Sequence, residues 1–271
     1  MGNQNGYRKG IWRYWYTNGR LKDSGVIRNN QLVNTWYTWH DNGNLHLLID
    51  YAFSDSATDL KKLSNDRKPL IESADLDGYK NGRFLRYFSN GQVSDSGGYT
   101  NDKKTGPWKI WFANGQLEAI GNFSNDSLQG EWRWYRESGV IATKETYRDN
   151  KLLDLRCFDD TGNYTGEYCG ILKPPVPLGN PSDFENYMLD NIILPNELRN
   201  IQLEGTVTIT CRITKEGKLV AVDVTGRTYK SLTKEIEKFF LGMKEWSPAI
   251  IHNRPTDYSF EYVLPLSRPP F

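Results

Sequence analysis

Histidine, cysteine and charge of one sign are what this sequence is short of, and each shortage removes a class of function. The three histidines, His40, His46 and His252, have no metalloprotease spacing and no cysteine pair beside them, so neither a metal nor a cofactor is expected. His40 and His46 flank one turn and are read as solvated turn residues. The three cysteines, Cys157, Cys169 and Cys211, are too few and too scattered for a disulfide framework and are read as buried apolar side chains. Lys and Arg number 34 against 33 Asp and Glu, a net charge of +1, which leaves no field for a nucleic-acid reader. No run approaches the ~18 apolar residues of a membrane-spanning helix. No G-x-S-x-G, P-loop or dinucleotide fingerprint occurs, and the Asp159-Asp160 pair falls in a turn, so an enzyme is not expected. Met1 to Gly6 carry no charged-then-apolar leader. A periplasmic or cell-envelope destination is expected if a leader has been removed, and a cytoplasmic one otherwise.

Aromatics are what the sequence has in quantity, 13% of 271 residues with nine Trp, and they are periodic. The pairs Asn18-Gly19, Asn42-Gly43, Asn90-Gly91 and Asn114-Gly115 continue as Ser138-Gly139 and Thr161-Gly162, so the glycine separations are 24, 48, 24, 24 and 23. Seven residues before each glycine stand Trp12, Trp36, Phe84, Trp108, Trp132 and Leu155, and four before it Trp15, Trp39, Tyr87, Trp111, Tyr135 and Phe158. Two residues after it comes an apolar residue in most copies: Leu21, Leu45, Val93, Leu117 and Ile141. The unit is an aromatic strand, a tight turn and a second strand. Asn-Gly suits a two-residue turn with positive φ at both central positions, and a lone hairpin is too small to be stable, so successive hairpins must pair. A second loop lies between units, as in Asn101-Asp102 and Asn125-Asp126. The 48-residue gap spans two periods, yet Arg67 stands where a glycine is expected and Leu60 and Leu63 replace the aromatics. One unit at about 52–77 is therefore degenerate or replaced by an insertion, and a short helix or an excursion from the sheet is expected near Leu60.

The run Gly106-Pro107-Trp108-Lys109-Ile110-Trp111-Phe112-Ala113-Asn114-Gly115 resembles the bacterial variant of the MORN repeat, and the resemblance extends over roughly residues 6–168. It implies a protein-binding or lipid-binding scaffold, and relatives of this kind carry an antitoxin-like label. A proline-marked linker follows at 173–181. Beyond it, Phe184, Tyr187 and Met188 share a helical face, while Val207, Ile209, Cys211 and Ile213 alternate as a half-buried strand. Lys215 to Lys218 turn the chain into Leu219 to Val224, Ser231 to Met243 form a helix, and Tyr258 to Leu266 a last strand. Leu194-Pro195, Glu204-Gly205-Thr206-Val207, Glu216-Gly217 and Trp246-Ser247-Pro248-Ala249 resemble the C-terminal domain of TonB-like proteins over roughly residues 180–271. That resemblance implies a periplasmic module that adds a partner's strand to its sheet edge, here the strand through Tyr258, Phe260 and Tyr262. The sequence has no membrane helix and no long proline-rich spacer, so energy transduction is not expected.

The expected architecture is two domains: an all-β array of hairpin repeats at 1–172, as an open sheet or shallow solenoid, and a small α+β domain at 182–271 with helices on one face of an antiparallel sheet. The expected function is non-enzymatic binding of protein partners in the bacterial cell envelope. The alternatives are a cytoplasmic antitoxin-like regulator and a glycan-binding protein. Trp12, Trp36, Trp108 and Trp132 are read as packing between hairpins. Tyr14, Tyr16, Phe112 and Trp134 are read as an exposed opposite face, and with Tyr258, Phe260 and Tyr262 they are the candidate partner-binding residues. Contact with a membrane surface and homodimerisation through open sheet edges are left open.

Overall fold

The computed structural model describes residues 2–4, 7–53, 78–169, 172–178, 184–199, 203–226, 229–243 and 245–266. The chain divides into two compact units, Met1–Tyr168 and Cys169–Phe271.

The first unit is a single antiparallel sheet of thirteen strands in which every strand pairs with the next one in sequence. They are β1 (Gly2–Gln4), β2 (Tyr7–Trp15), β3 (Leu21–Arg28), β4 (Gln31–Trp39), β5 (Leu45–Ala52), β6 (Tyr79–Tyr87), β7 (Val93–Thr100), β8 (Lys103–Trp111), β9 (Leu117–Ser124), β10 (Ser127–Tyr135), β11 (Ile141–Arg148), β12 (Lys151–Phe158) and β13 (Tyr164–Gly166). Two turn types alternate, and they are distributed differently from the expectation. At the Asn-Gly sites only the glycine has positive φ, 83° at Gly19 and 85° at Gly115. Gly19 N–H donates to Tyr16 O at 3.0 Å and Tyr16 N–H to Arg20 O at 2.8 Å, a longer loop closed by a left-handed glycine. The two-residue turns with positive φ at both positions lie at the other end of the hairpins. They are Asn29-Asn30 (50°, 63°), Asn101-Asp102 (53°, 66°), Asn125-Asp126 (51°, 69°) and Asp149-Asn150 (51°, 65°). Asn and Asp tolerate this conformation better than other non-glycine residues.

Both turn rows tie one hairpin to the next. Asn18, Asn42, Asn90 and Asn114 each accept from the backbone N–H two residues on, at 2.9–3.0 Å, and each donates its side-chain amide to a carbonyl in the following turn. At the opposite ends, Asn30, Asp102, Asp126 and Asn150 accept from the N–H of Arg8, Lys80, Lys104 and Leu128 at 2.7–3.0 Å.

The array's core is built from tryptophans lying on glycines. Trp36, Trp108 and Trp132 are buried, and a Cβ placed on Gly25, Gly97 or Gly121 would fall 2.1–2.3 Å from their ring atoms. Each indole N–H donates to a strand carbonyl, Val26 O at 3.1 Å, Gly98 O at 3.3 Å and Asn122 O at 3.1 Å. The strand register slips beside each of these rings, so the indole reaches a carbonyl where the regular ladder is interrupted. Phe84 and Trp108 lie 5.3 Å apart, and Phe123 bridges Trp108 and Trp132 at 5.7 and 5.1 Å. The core therefore runs continuously from hairpin to hairpin.

Across the 48-residue gap, β5 pairs directly with β6, Leu48 opposite Leu85 and Ile49 opposite Phe84. The degenerate or replaced unit expected at about 52–77 falls almost wholly outside the described residues. The short helix expected near Leu60 lies outside the described residues.

The cysteine expectation needs correcting. Cys157 and Cys169 are disulfide-bonded, whereas Cys211 is free and buried, its thiol pushed up to about 12 by burial.

In the second unit, β14 (Leu172–Lys173) and β15 (Val176–Pro177) precede α1 (Phe184–Asn191), a 3-10 turn at Asn196–Leu198, β16 (Thr206–Ile213), β17 (Leu219–Gly226), α2 (Lys230–Leu241), β18 (Trp246–Ser247), β19 (Ala249–Ile251), β20 (Arg254–Thr256) and β21 (Tyr258–Pro265). The main sheet has the order β17-β16-β21. Val207, Ile209, Cys211 and Ile213 on β16 are wholly buried and share a cluster with Met188 of α1 and Leu232, Ile236 and Phe240 of α2. The proline-marked stretch is not a free connector. Leu172 and Lys173 pair with Ile251 and Ile250, and Val176 and Pro177 with Ser247 and Trp246, short pairings that the sequence pattern did not signal.

Candidate binding surfaces

Alternation along β2, β4, β6, β8 and β10 gives the array an inner face, which carries the buried ring ladder, and an outer face. The structure places Tyr14 and Trp134 on the inner one, which corrects their reading as opposite-face residues. Tyr14 stacks on Trp12 at 6.4 Å and Trp134 on Trp132 at 5.6 Å; Trp132 belongs to the buried cluster and the other three pack against it. Residues two apart on a strand share a face, so this placement follows from period two. Tyr16 and Phe112 lie half-buried in the turn row. The Tyr16 hydroxyl donates to Trp39 O at 2.7 Å, and Phe112 N–H donates to Gln116 O at 2.9 Å.

What the outer face does present is a stripe of aromatic and aliphatic side chains. A bulge before each Gly-containing turn sets Trp15 opposite Leu21, Trp39 opposite Leu45, Tyr87 opposite Val93, Trp111 opposite Leu117 and Tyr135 opposite Ile141. Trp15 is 54% exposed and the others are half-buried. The row of pairs beside it is Arg13–Ser24, Tyr37–Leu48, Leu85–Ser96, Lys109–Ile120 and Arg133–Lys144, with four basic residues and no acid. In the row beyond, the carboxylates are engaged: Asp50 with Arg83 at 2.9 Å and Glu131 with Arg133 at 2.6 Å.

In the second unit Tyr258, Phe260 and Tyr262 are half-buried on the helix-facing side of β21. Tyr262 lies 5.2 Å from Phe184 and Phe260 lies 5.6 Å from Trp246, so their rings serve the core and what β21 presents outward is backbone. Leu266 N–H donates to Gly205 O at 2.9 Å, which points the even-numbered amides of β21 at β16. The N–H groups of Ser259, Glu261 and Val263 therefore point to the outer edge, and no strand pairs with that edge among the described residues. Pro265 falls in the outward set, where a missing donor costs nothing.

Among the described residues no group of three or more His, Cys, Asp or Glu side chains is arranged for a metal. The rings of His40 and His46 are 4.4 Å apart, with His40 Nε2 3.0 Å from Tyr87 O and His46 Nδ1 3.3 Å from Thr38 Oγ1. Asp159 works as a turn residue. Hydrogen bonds from the Thr161 hydroxyl and from the N–H groups of Asn163 and Thr161 hold its carboxyl down at about 2. A cavity of about 730 Å³ is lined by Ile11, Val26, Val33, Tyr51 and Phe53, with Lys9 and Arg28 as its charged groups. None of the seven candidate partner-binding residues lines it.

With this geometry in view, the relevant comparison is local. A family model described as a MORN repeat variant matches residues 104–125 and 128–149, that is, β8–β9 and β10–β11 with their turns. These are the two hairpins that carry Trp108 and Trp132, each ring resting on a glycine of the hairpin before it, Gly97 and Gly121. No curated protein matches the chain. No helix among the described residues is long and apolar enough to cross a membrane.

Proposed function

We propose that the protein is a non-enzymatic binding or scaffold protein of the bacterial cell envelope, which recognises protein partners through its repeats and adds a partner's strand to the edge of its C-terminal sheet. The observation that carries this reading is the outer edge of β21, where the amides of Ser259, Glu261 and Val263 point away from β16. Unpaired edge amides are a template for an added strand, with backbone bonds supplying affinity. The likeness of this segment to TonB-like C-terminal domains supports the same mode, and MORN-type repeats support binding by the array. The Cys157 and Cys169 disulfide favours an oxidising compartment over the cytoplasm, and so the envelope over the antitoxin-like alternative.

The test is capture by the full chain from envelope and cytosolic extracts, with each partner identified by mass spectrometry, comparing wild type with Glu261→Pro. Proline there removes an outward donor and leaves the pairing with β16 intact. Envelope proteins captured by wild type and lost with Glu261→Pro are expected. Phe260→Pro is the wrong probe, since the Phe260 amide faces β16 and its loss damages the sheet itself. A cytosolic partner retained equally by both chains would overturn the reading.

A further inference from the structure

The outer-face stripe has a period, and the period restricts what fits it. Neighbouring strands are ~4.8 Å apart, so successive hairpins present their aromatic and aliphatic pairs every ~9.6 Å. A polyproline II helix rises ~3.1 Å per residue with three residues per turn, so one of its edges repeats every ~9.3 Å. Over the four intervals from Trp15 to Tyr135 the mismatch accumulates to only about 1 Å. A β-strand laid the same way alternates its side chains every second residue and falls out of step with the hairpins. Aromatic rows with gaps between them are also the surface on which proline rings pack at little entropic cost, because the polyproline helix is already formed.

Charge sets the second requirement. Arg13, Lys109, Arg133 and Lys144 stand in the row beside the stripe with no acid among the paired residues of that row. Glu131, the carboxylate on β10, pairs with Arg133 at 2.6 Å, which leaves Arg13, Lys109 and Lys144 as the basic residues of the row outside that ion pair. Resting on the reading of the repeats as protein-binding, we infer that the outer face of the array docks an acidic, proline-rich segment of a partner protein. The segment runs across the strands as a polyproline II helix, with an apolar residue at every third position on the stripe and carboxylates over the basic row. The middle of that row, Tyr37 and Leu85, matches a partner whose acids are concentrated towards its two ends.

The experiment is fluorescence anisotropy of labelled peptides with the full chain at low salt. The probes are a (Glu-Pro-Pro) repeat of about 15 residues, long enough to span ~46 Å, a (Lys-Pro-Pro) repeat and a Gly-Ser-Glu repeat of the same length. The acidic proline peptide is expected to bind at least about tenfold tighter than either control, and Lys109→Glu with Arg133→Glu is expected to reverse the preference between acidic and basic peptides. Both side chains are exposed, so the double variant folds, which circular dichroism checks. Equal binding of the acidic proline and Gly-Ser-Glu peptides overturns the polyproline geometry, and binding unchanged by charge reversal overturns the docking site. No binding of any peptide, while the array still captures an identified protein, overturns this inference and leaves the protein-binding reading standing. Binding of cell-wall oligosaccharides in place of the peptides overturns both and selects glycan stacking.

Discussion

Within the array, the hairpins that keep a strand glycine differ from those that have lost it. Gly97 lies under Trp108 and Gly121 under Trp132, whereas Ile49 stands opposite Phe84 and Glu145 opposite Leu155. Where the glycine is replaced, the next hairpin carries no tryptophan. The two positions are one steric decision, since an indole can lie flat on a strand only where that strand has no side chain. At Glu145 the vacated space is filled by polar groups. Its buried carboxylate accepts from the Thr143 and Tyr147 hydroxyls at 2.8 and 2.7 Å, and β12 beyond it is the last long strand of the sheet. The run of stacked tryptophans thus stops where the glycines stop.

The most damaging way to break this comparison is to give a regular hairpin the wrong residue. Gly121→Val puts a side chain into the Trp132 ring, 2.1 Å away at its Cβ alone, and is expected to cost about 3 kcal/mol or more in urea unfolding. Gly121→Ile combined with Trp132→Phe recreates the Ile49 and Phe84 pair and is expected to recover a large part of that loss. A single variant costing under about 1 kcal/mol would refute the steric coupling.

Tyrosines sharpen the comparison next. Tyr99, in a glycine hairpin, is pushed up to about 12 mainly by burial, and Tyr147, in the Glu145 hairpin, is raised by burial together with its bond to Glu145. A folded-state value above the ordinary ~10 means that the unfolded chain loses its proton first. Stability is therefore complete below pH ~10 and falls as pH rises through the folded values. For Tyr99 the loss is about 1–2 kcal/mol by pH ~12, after discounting for its partial exposure. Urea unfolding at intervals from pH 8 upward should be flatter for Tyr99→Phe than for wild type, and Tyr147→Phe should flatten it at the highest pH.

Trp132→Phe alone removes the indole's hydrogen bond together with one of its two fused rings. Asn122 O loses its donor where the strand register slips, with an expected cost of about 1–2 kcal/mol. Phe84→Trp, by contrast, should not gain that amount, because Ile49 occupies the ring's place. A stabilised Phe84→Trp would mean that the glycine is not what selects the ring.

The 24-residue spacing, the hairpins and the inward ladder were legible because each is a local pattern repeated several times. The glycines 11 positions before Trp36, Trp108 and Trp132 were just as periodic, but a glycine inside a strand gives no signal until the ring that rests on it is known. The turn assignment failed at Asn18-Gly19 because Asn-Gly also serves a longer loop with one left-handed residue, and backbone conformation, not composition, separates the two. The alternating core of β16 and the helix of α2 were visible in hydrophobic period. The pairings of Leu172–Lys173 and Val176–Pro177, two residues long, are below what any period can reveal. The outward amides of β21 follow from one hydrogen bond, Leu266 to Gly205, whose direction no sequence pattern carries.

The smallest expected effect tests the turn row. Asn114 accepts from Gln116 N–H at 2.9 Å and donates to Glu137 O in the following turn at 3.1 Å, so Asn114→Ala removes two exposed bonds and should cost about 1 kcal/mol. Ser138 holds the equivalent place one unit later with a single 3.5 Å contact from Val140 N–H. Its shorter side chain has no amide with which to reach the next turn. Ser138→Asn is therefore expected to stabilise the array by a few tenths of a kcal/mol. In hydrogen exchange, the Asn114→Ala turn should lose protection while the Ser138→Asn turn gains it. If Asn114→Ala is neutral and Ser138→Asn gains nothing, the asparagines only shape their own loops, and the hairpins are held together by the strand ladder and the rings alone.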